Sequence, residues 1–233
     1  MRATNWEFKN RALVFGIIFG IPASLYTLDP QNATAALANG LGAVLGMDAN
    51  LVARLLFVLA ACILVLAAFI RTWASAYLRA AVVYAAEIKT ESLVADGPYR
   101  HMRNPLYFAN ILLALGLGAM MSRAGFVAVL IAMTVFCYRL IFREESDLEA
   151  SQGEHYKLYQ SAVPRLWPAW TARVPAAGRE ANWAEGFKSE FWCWGFAVSV
   201  GVFAITLNTT LFFAATAVSL AVFWLSSSLL ARN

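Results

Sequence analysis

Residues 51–70 read LVARLLFVLAACILVLAAFI, an apolar run interrupted only by Arg54 near its start. A bilayer core about 30 Å thick needs roughly 20 consecutive apolar residues in a helix. The run is continuous rather than alternating, which excludes the strand of a transmembrane barrel. Similar runs occupy 12–28, 124–142, 191–206 and 209–229, with a shorter one at 106–121. Composition agrees: 61% of residues are hydrophobic and 14% charged, with mean hydropathy +0.61. Soluble domains run nearer 45–50% and about 25%. The expected fold class is therefore all-α, a polytopic membrane bundle of about six transmembrane helices. The run at 12–28 lacks a convincing small-residue cleavage site and reads as a retained helix rather than a signal peptide.

Charge placement sets the topology. Residues 33–47 are rich in Ala and Gly, bounded by Asp29-Pro30 and Asp48, and short for a span; an interfacial or re-entrant helix is expected. With that segment outside and six spans, nearly every Lys and Arg falls on one side, Arg54 and Arg123 excepted. Positive charge concentrates in cytoplasmic loops, so both termini and the polar stretches 71–105 and 143–190 are expected to be cytoplasmic. Only Ser122-Arg123 separates 106–121 from 124–142, which predicts a tight helical hairpin. Trp73, Tyr77, Ala80, Ala81, Tyr84 and Ile88 recur at helical spacing among Arg71, Arg79, Glu87 and Lys89. This reads as a helix lying at, or emerging from, the interface. Cys62, Cys137 and Cys193 sit in apolar segments without paired spacing and are expected to be buried thiols; no metal site is expected. The net charge of +4 is modest and calls for no nucleic-acid partner.

Three polar clusters gather at the cytoplasmic edge. The first is Gly97-Pro98-Tyr99-Arg100-His101-Met102-Arg103-Asn104-Pro105-Leu106-Tyr107. Gly97-Pro98 forces a turn, and Pro105 keeps residue 104 out of a helix while suiting the first turn of the next one. Headgroup attraction alone does not need so rigid a loop. The second cluster, Arg143-Glu144-Glu145, ends a long apolar run. Tyr138 and Glu145 share one helical face, Arg139 and Arg143 another, and Gly153 is a plausible cap. The third is His155-Tyr156 and Tyr159, followed by Val163-Pro164-Arg165-Leu166-Trp167-Pro168, which can fold back over the other two.

The ordered set GPYRxxRNPxY at Gly97–Tyr107, REExxL at Arg143–Leu148, and YxxY with VPRxxP at Tyr156–Pro168 resembles the isoprenylcysteine carboxyl methyltransferase and phospholipid N-methyltransferase superfamily. The resemblance covers about residues 70–170. It implies an integral membrane enzyme that binds S-adenosyl-L-methionine in a cytoplasm-facing pocket and methylates a lipophilic acceptor, a prenylated substrate or a phospholipid amine. Many members carry His where this chain has Asn104, which argues against any role there that needs a titrating imidazole. The resemblance also implies three parts: N-terminal helices 1–70, a methyltransferase core 71–170, and a linker with a C-terminal helix pair 171–233. That pair extends past the usual family core and suggests a different substrate cavity or a homodimer interface.

Methyl transfer from a sulfonium needs a fixed donor, an aligned acceptor and excluded water more than it needs acid–base help. By the resemblance, Tyr99, Tyr107, Tyr156 and Tyr159 offer aromatic faces to the cationic donor. Glu144 and Glu145 accept hydrogen bonds from its ribose or amino group, and Arg103 holds its carboxylate. Arg100, His101, Asn104 and Pro105 complete the cofactor-binding wall. Arg165, Glu145 and His101 are the catalytic candidates: Arg165 on the acceptor side, His101 or a glutamate to take a proton from an amine acceptor. Two rivals are an NADPH-dependent membrane sterol-type reductase and a transport or structural subunit. Transporters usually carry ionisable residues near the bilayer midplane, whereas here polar residues collect at one surface.

Overall fold

The computed structural model describes residues 2–85 and 95–230 and is all-helical among them. The helices are α1 (Asn5–Lys9), α2 (Arg11–Ser24), α3 (Ala33–Leu45), α4 (Ala49–Ala85), α5 (Pro105–Gly118), α6 (Arg123–Gln152), α7 (Glu154–Ala162), α8 (Trp183–Thr206) and α9 (Thr209–Leu230). Among the described residues three stretches are long and apolar enough to cross a membrane: Ala49–Leu78, Arg123–Gln152 and Trp183–Thr206. The shorter apolar helices are Arg11–Thr27, Ala33–Leu45, Pro105–Gly118 and Thr209–Phe223. At 1.5 Å rise per residue, α5 with its 14 residues reaches only about 21 Å, short of the roughly 30 Å core. The six-span count stays a proposal.

α4 is the axis of the bundle, packing on α8, α5 and α3, while α6 packs on α5 and α2. Its two faces follow helical periodicity. Ala53, Phe57, Ala60, Leu64, Ala67 and Ala68 are buried, and Leu55, Leu59, Leu66 and Phe69 are exposed. Cys62 lies on that outward stripe and is exposed, which corrects the expectation of a buried thiol; Cys137 and Cys193 are buried as expected. An apolar outward stripe on an already full core is what a lipid-facing helix requires.

α4 runs on from the 51–70 span without a break to Ala85, so the polar stretch after residue 70 emerges as its continuation. The rest of the expected aromatic stripe, from Arg79 to Lys89, lies outside the described residues or side chains. Small residues allow close approach elsewhere: a Cβ on Gly186 of α8 would stand 2.6 Å from the Thr72 carbonyl oxygen on α4.

The hairpin forms as expected. Ser122 caps α6, its side chain accepting from the Gly125 amide at 3.1 Å. Asn32 caps α3 through the Ala35 amide at 2.8 Å and donates to the Ala119 and Met121 carbonyls. Arg123 pairs with Asp29 at 3.0 Å. That end of the bundle is closed by local capping chemistry. The opposite end carries the motifs.

Candidate active site

Gly97–Arg100 form a single 3-10 turn. Gly97 has φ +54, in the left-handed region, and a Cβ there would lie 2.3 Å from the Tyr77 ring. Only glycine meets both demands. Pro105 opens α5 and holds Asn104 outside the helix at φ −125, ψ 59. Freed from capping, the Asn104 amide points across the hairpin and donates to Glu145 Oε1 at 3.1 Å and to the Arg165 carbonyl at 3.0 Å. Neither bond needs a group that titrates, so the departure from His is accommodated.

Glu145, 5% exposed, is where the three clusters meet. Its Oε1 also accepts from Arg103 Nε at 3.0 Å, and its Oε2 from Arg165 Nε at 2.9 Å. These are charge-assisted bonds, stronger than neutral ones. Arg103 does a second job: its Nη1 donates to the Gln160 and Val163 carbonyls at 2.6 and 2.7 Å. A cation there satisfies the free carbonyls at the end of α7 and complements its dipole. Beside Glu145, Glu144 Oε1 accepts from the Tyr107 hydroxyl at 2.7 Å. Arg143 is turned the other way, toward the Ala3 carbonyl (3.3 Å), the Phe8 ring (4.8 Å) and Asp147 (3.7 Å). Consecutive residues on a helix point about 100° apart, so one motif serves two faces.

The segment after α7 forms a strap over the loop. The Arg103 amide donates to Pro164, Ala169 to the His101 carbonyl, and Arg173 to the Arg100 carbonyl, at 2.8–2.9 Å. Arg100 Nε donates to the Val174 carbonyl at 2.9 Å. Buried Asp96 accepts from the Ala177 and Arg179 amides at 2.8 and 3.0 Å. His101 Nδ1 donates to the Ala169 carbonyl at 2.9 Å, and its ring lies 5.9 Å from Trp73. A carbonyl only accepts, so Nδ1 carries the hydrogen and Nε2 is the basic nitrogen.

Tyr156, Tyr159 and Val163 form a small satellite core with Ala95, Leu148 and Val174, and the Tyr159 hydroxyl donates to the Tyr99 carbonyl at 2.7 Å. Burial pushes the Tyr99, Tyr156 and Tyr159 hydroxyls above the usual phenol range; the nearby Glu145 charge adds to it at Tyr156. They stay neutral, and the Tyr159 hydroxyl donates as such.

The structure thus joins Arg103, Asn104, Glu145 and Arg165 directly, sets Tyr107 and Glu144 beside them, and packs Tyr99, Tyr156 and Tyr159 underneath. His101 and Arg100 are bonded to the strap instead, and Pro105 serves the backbone. An open cleft of about 330 Å³ adjoins Glu145, lined by Arg2, Phe142, Ser146, Glu149, Gln160 and Arg165. The Arg165 guanidinium stacks over Phe142 at 5.0 Å. Sequence reasoning missed Asp96, Phe142 and Gln152. Asp96 had a local signal, an acid directly before Gly97-Pro98. Gln152 shares a face with Glu145, seven residues earlier, and its buried Oε1 has no hydrogen-bond partner among the described residues.

Comparison with known proteins bears on the same segment. The phospholipid methyltransferase family model matches residues 55–154. The cobalt-zinc-cadmium resistance protein CzcN of Cupriavidus metallidurans is 29% identical over 130 residues, covering 52% of this chain and 57% of that protein. The nickel-cobalt-cadmium resistance protein NccN of Alcaligenes xylosoxydans xylosoxydans is 30% identical over 86 residues, covering 37% of this chain and 40% of that protein. The match therefore spans about half the length of these curated relatives. No solved structure matches the chain.

Proposed function

We propose that this chain, a member of the phospholipid methyltransferase family through residues 55–154, is an integral membrane enzyme that methylates a lipophilic acceptor from S-adenosylmethionine at the cytoplasmic face. The observation that carries the reading is Glu145, a buried carboxylate on which all three motifs converge. Three elements distant in sequence are held at one point beside an open cleft.

The residues present suit the donor. Glu144 uses Oε1 for Tyr107, and among the described residues its Oε2 takes no hydrogen bond, ready to accept from ribose hydroxyls or an ammonium. The buried Gln152 Oε1, unpaired among the described residues, is an acceptor for an amino group. Tyr99 and Tyr107 offer aromatic faces to a cation. When bound, S-adenosylmethionine supplies an electrophilic methyl group on a sulfonium. The chain's own task is to orient, to desolvate and to receive any proton. Arg165, over Phe142 at the mouth of the cleft, is the group to hold an anionic acceptor head. With an amine acceptor, His101 or a glutamate is the base.

The binding of labelled S-adenosylmethionine and of NADPH to the purified protein in nanodiscs tests this reading. Retention of S-adenosylmethionine and not NADPH is expected. NADPH binding alone would replace it with the reductase, and binding of neither would favour a structural or transport subunit. The names of the two relatives attach those proteins to metal resistance. A part in resistance for this chain would run through modification of a membrane component, checked by whether loss of the labelled-methyl product tracks metal sensitivity.

A further inference from the structure

A second polar network crosses three helices away from Glu145. On α8, Glu190 is 5% exposed and accepts from Arg71 Nε at 2.6 Å and from Ser75 Oγ at 2.7 Å. The same Arg71 guanidinium donates through Nη1 to Asn110 Oδ1 on α5 and stands 5.2 Å over the Trp192 ring. No polar side chain in this set lacks a partner among the described residues.

Stability alone is a poor reason for such a network, because replacing a buried ion pair with apolar residues of similar volume is often neutral or stabilising. Its geometry suggests another. Asn110 lies three residues after Tyr107, on the same face of α5, and Tyr107 is the residue that holds Glu144. α5 starts directly after Arg103 and Asn104, which bind Glu145. The Arg71 bond to Asn110 therefore ties α4 to the turn of α5 that carries Tyr107. Glu190 in turn fixes Arg71, and α8 begins at Trp183, beyond the family-matched segment 55–154.

We infer that Glu190, Arg71 and Asn110 form a positioning relay through which α8 sets the Tyr107–Glu144 pair of the donor site. Its functional meaning rests on the methyltransferase reading above; its structural content does not. All three are positioning residues, and none is assigned contact with donor or acceptor.

The test uses the full-length protein in nanodiscs with three variants: the apolar double exchange Arg71→Met with Glu190→Leu, Asn110→Leu, and the conservative Asn110→Asp. Two readouts are taken: amide hydrogen exchange of residues 104–110 without any ligand, and affinity for S-adenosylmethionine. The double variant is expected to keep its melting temperature while residues 104–110 exchange faster and donor affinity falls roughly tenfold, the equivalent of one hydrogen bond to a charged group. Asn110→Leu should behave the same way, and Asn110→Asp should stay near wild type because a carboxylate still accepts from Arg71. Wild-type exchange in the double variant, with unchanged affinity, overturns the relay. If the double variant loses its fold, Asn110→Leu decides: unchanged exchange at 104–110 overturns the relay, and faster exchange confined there supports it. Failure of the wild-type protein to bind S-adenosylmethionine overturns the methyltransferase reading instead, and the exchange data still judge the relay.

Discussion

Glu145 receives two guanidinium groups and an amide within 3.1 Å, so its removal acts on the fold before it acts on any ligand. Glu145→Ala leaves Arg103, 7% exposed at the side chain, without its anion. Losing one partner of a buried pair costs about 3–5 kcal/mol. Thermal unfolding in detergent should rank wild type above Glu145→Gln, which keeps one acceptor oxygen, and Glu145→Gln above Glu145→Ala. Equal melting of all three would mean that the cluster is not coupled to the fold. Tyr107→Phe is gentler: it deletes one bond to a carboxylate, worth about 1.5–3 kcal/mol. Its effect should fall on donor affinity more than on melting, since the α5 packing survives. At this scale the sequence disclosed the chemical groups and concealed their pairing. Arg103, Asn104, Glu145 and Arg165 could be named from motif and charge. That one carboxylate would bind all three others depends on the register of the strap against the loop, which residue type does not set.

Among the elements, the helices were legible because lipid and core impose opposite demands on their two faces. The α4 stripe of Leu55, Leu59, Cys62, Leu66 and Phe69 obeys that period; the stop of α6 at Gly153, φ +55, was legible from the glycine itself. Of the strap at 163–179, the fold-back of Val163–Pro168 was legible, but its register and the stretch beyond it were not. Its register is set mainly by backbone bonds to Arg100, His101 and Arg103, which any side chain permits. Side chains latch it as well: Arg100, His101, Arg103 and Asn104 donate to its carbonyls, Arg165 reaches Glu145, and Asp96 accepts from its Ala177 and Arg179 amides. Asp96→Ala removes the latch at the strap's far end and should expose it to protease, with cleavage between 170 and 180 and the helices intact. An unaltered cleavage pattern would show that the remaining bonds suffice without Asp96. Gly97→Ala attacks the same junction from the other side. It combines a left-handed φ with a Cβ driven into Tyr77, and should lower stability by about 1–3 kcal/mol.

Taken whole, the bundle keeps its two ends for different chemistry, and α1 belongs to the motif-bearing end. The Ala3 amide donates to the Arg139 carbonyl at 3.0 Å, Glu7 pairs with Arg139 at 2.7 Å, and Phe8 lies under Arg143. The charges that share one face of α6 are thus spent on α1, which leaves the Glu144–Glu145 face free for the loop and strap. The Glu7 carboxyl is held down to about 2, first by the backbone bond at Thr4 and then by Arg139. A carboxyl lowered in the folded state contributes stability that is fully present above its ordinary value of 4.5 and is lost as pH falls toward 2. Acidification should therefore detach α1 from α6 across that window, and salt should weaken the latch because the pair is near the surface. Amide exchange of residues 3–9 in nanodiscs, divided by the intrinsic rate at each pH, would rise as pH drops, while Glu7→Gln would keep one elevated ratio throughout. If Glu7→Gln instead showed the same acid-dependent rise as wild type, α1 would be held by packing of Phe8 and not by its charge.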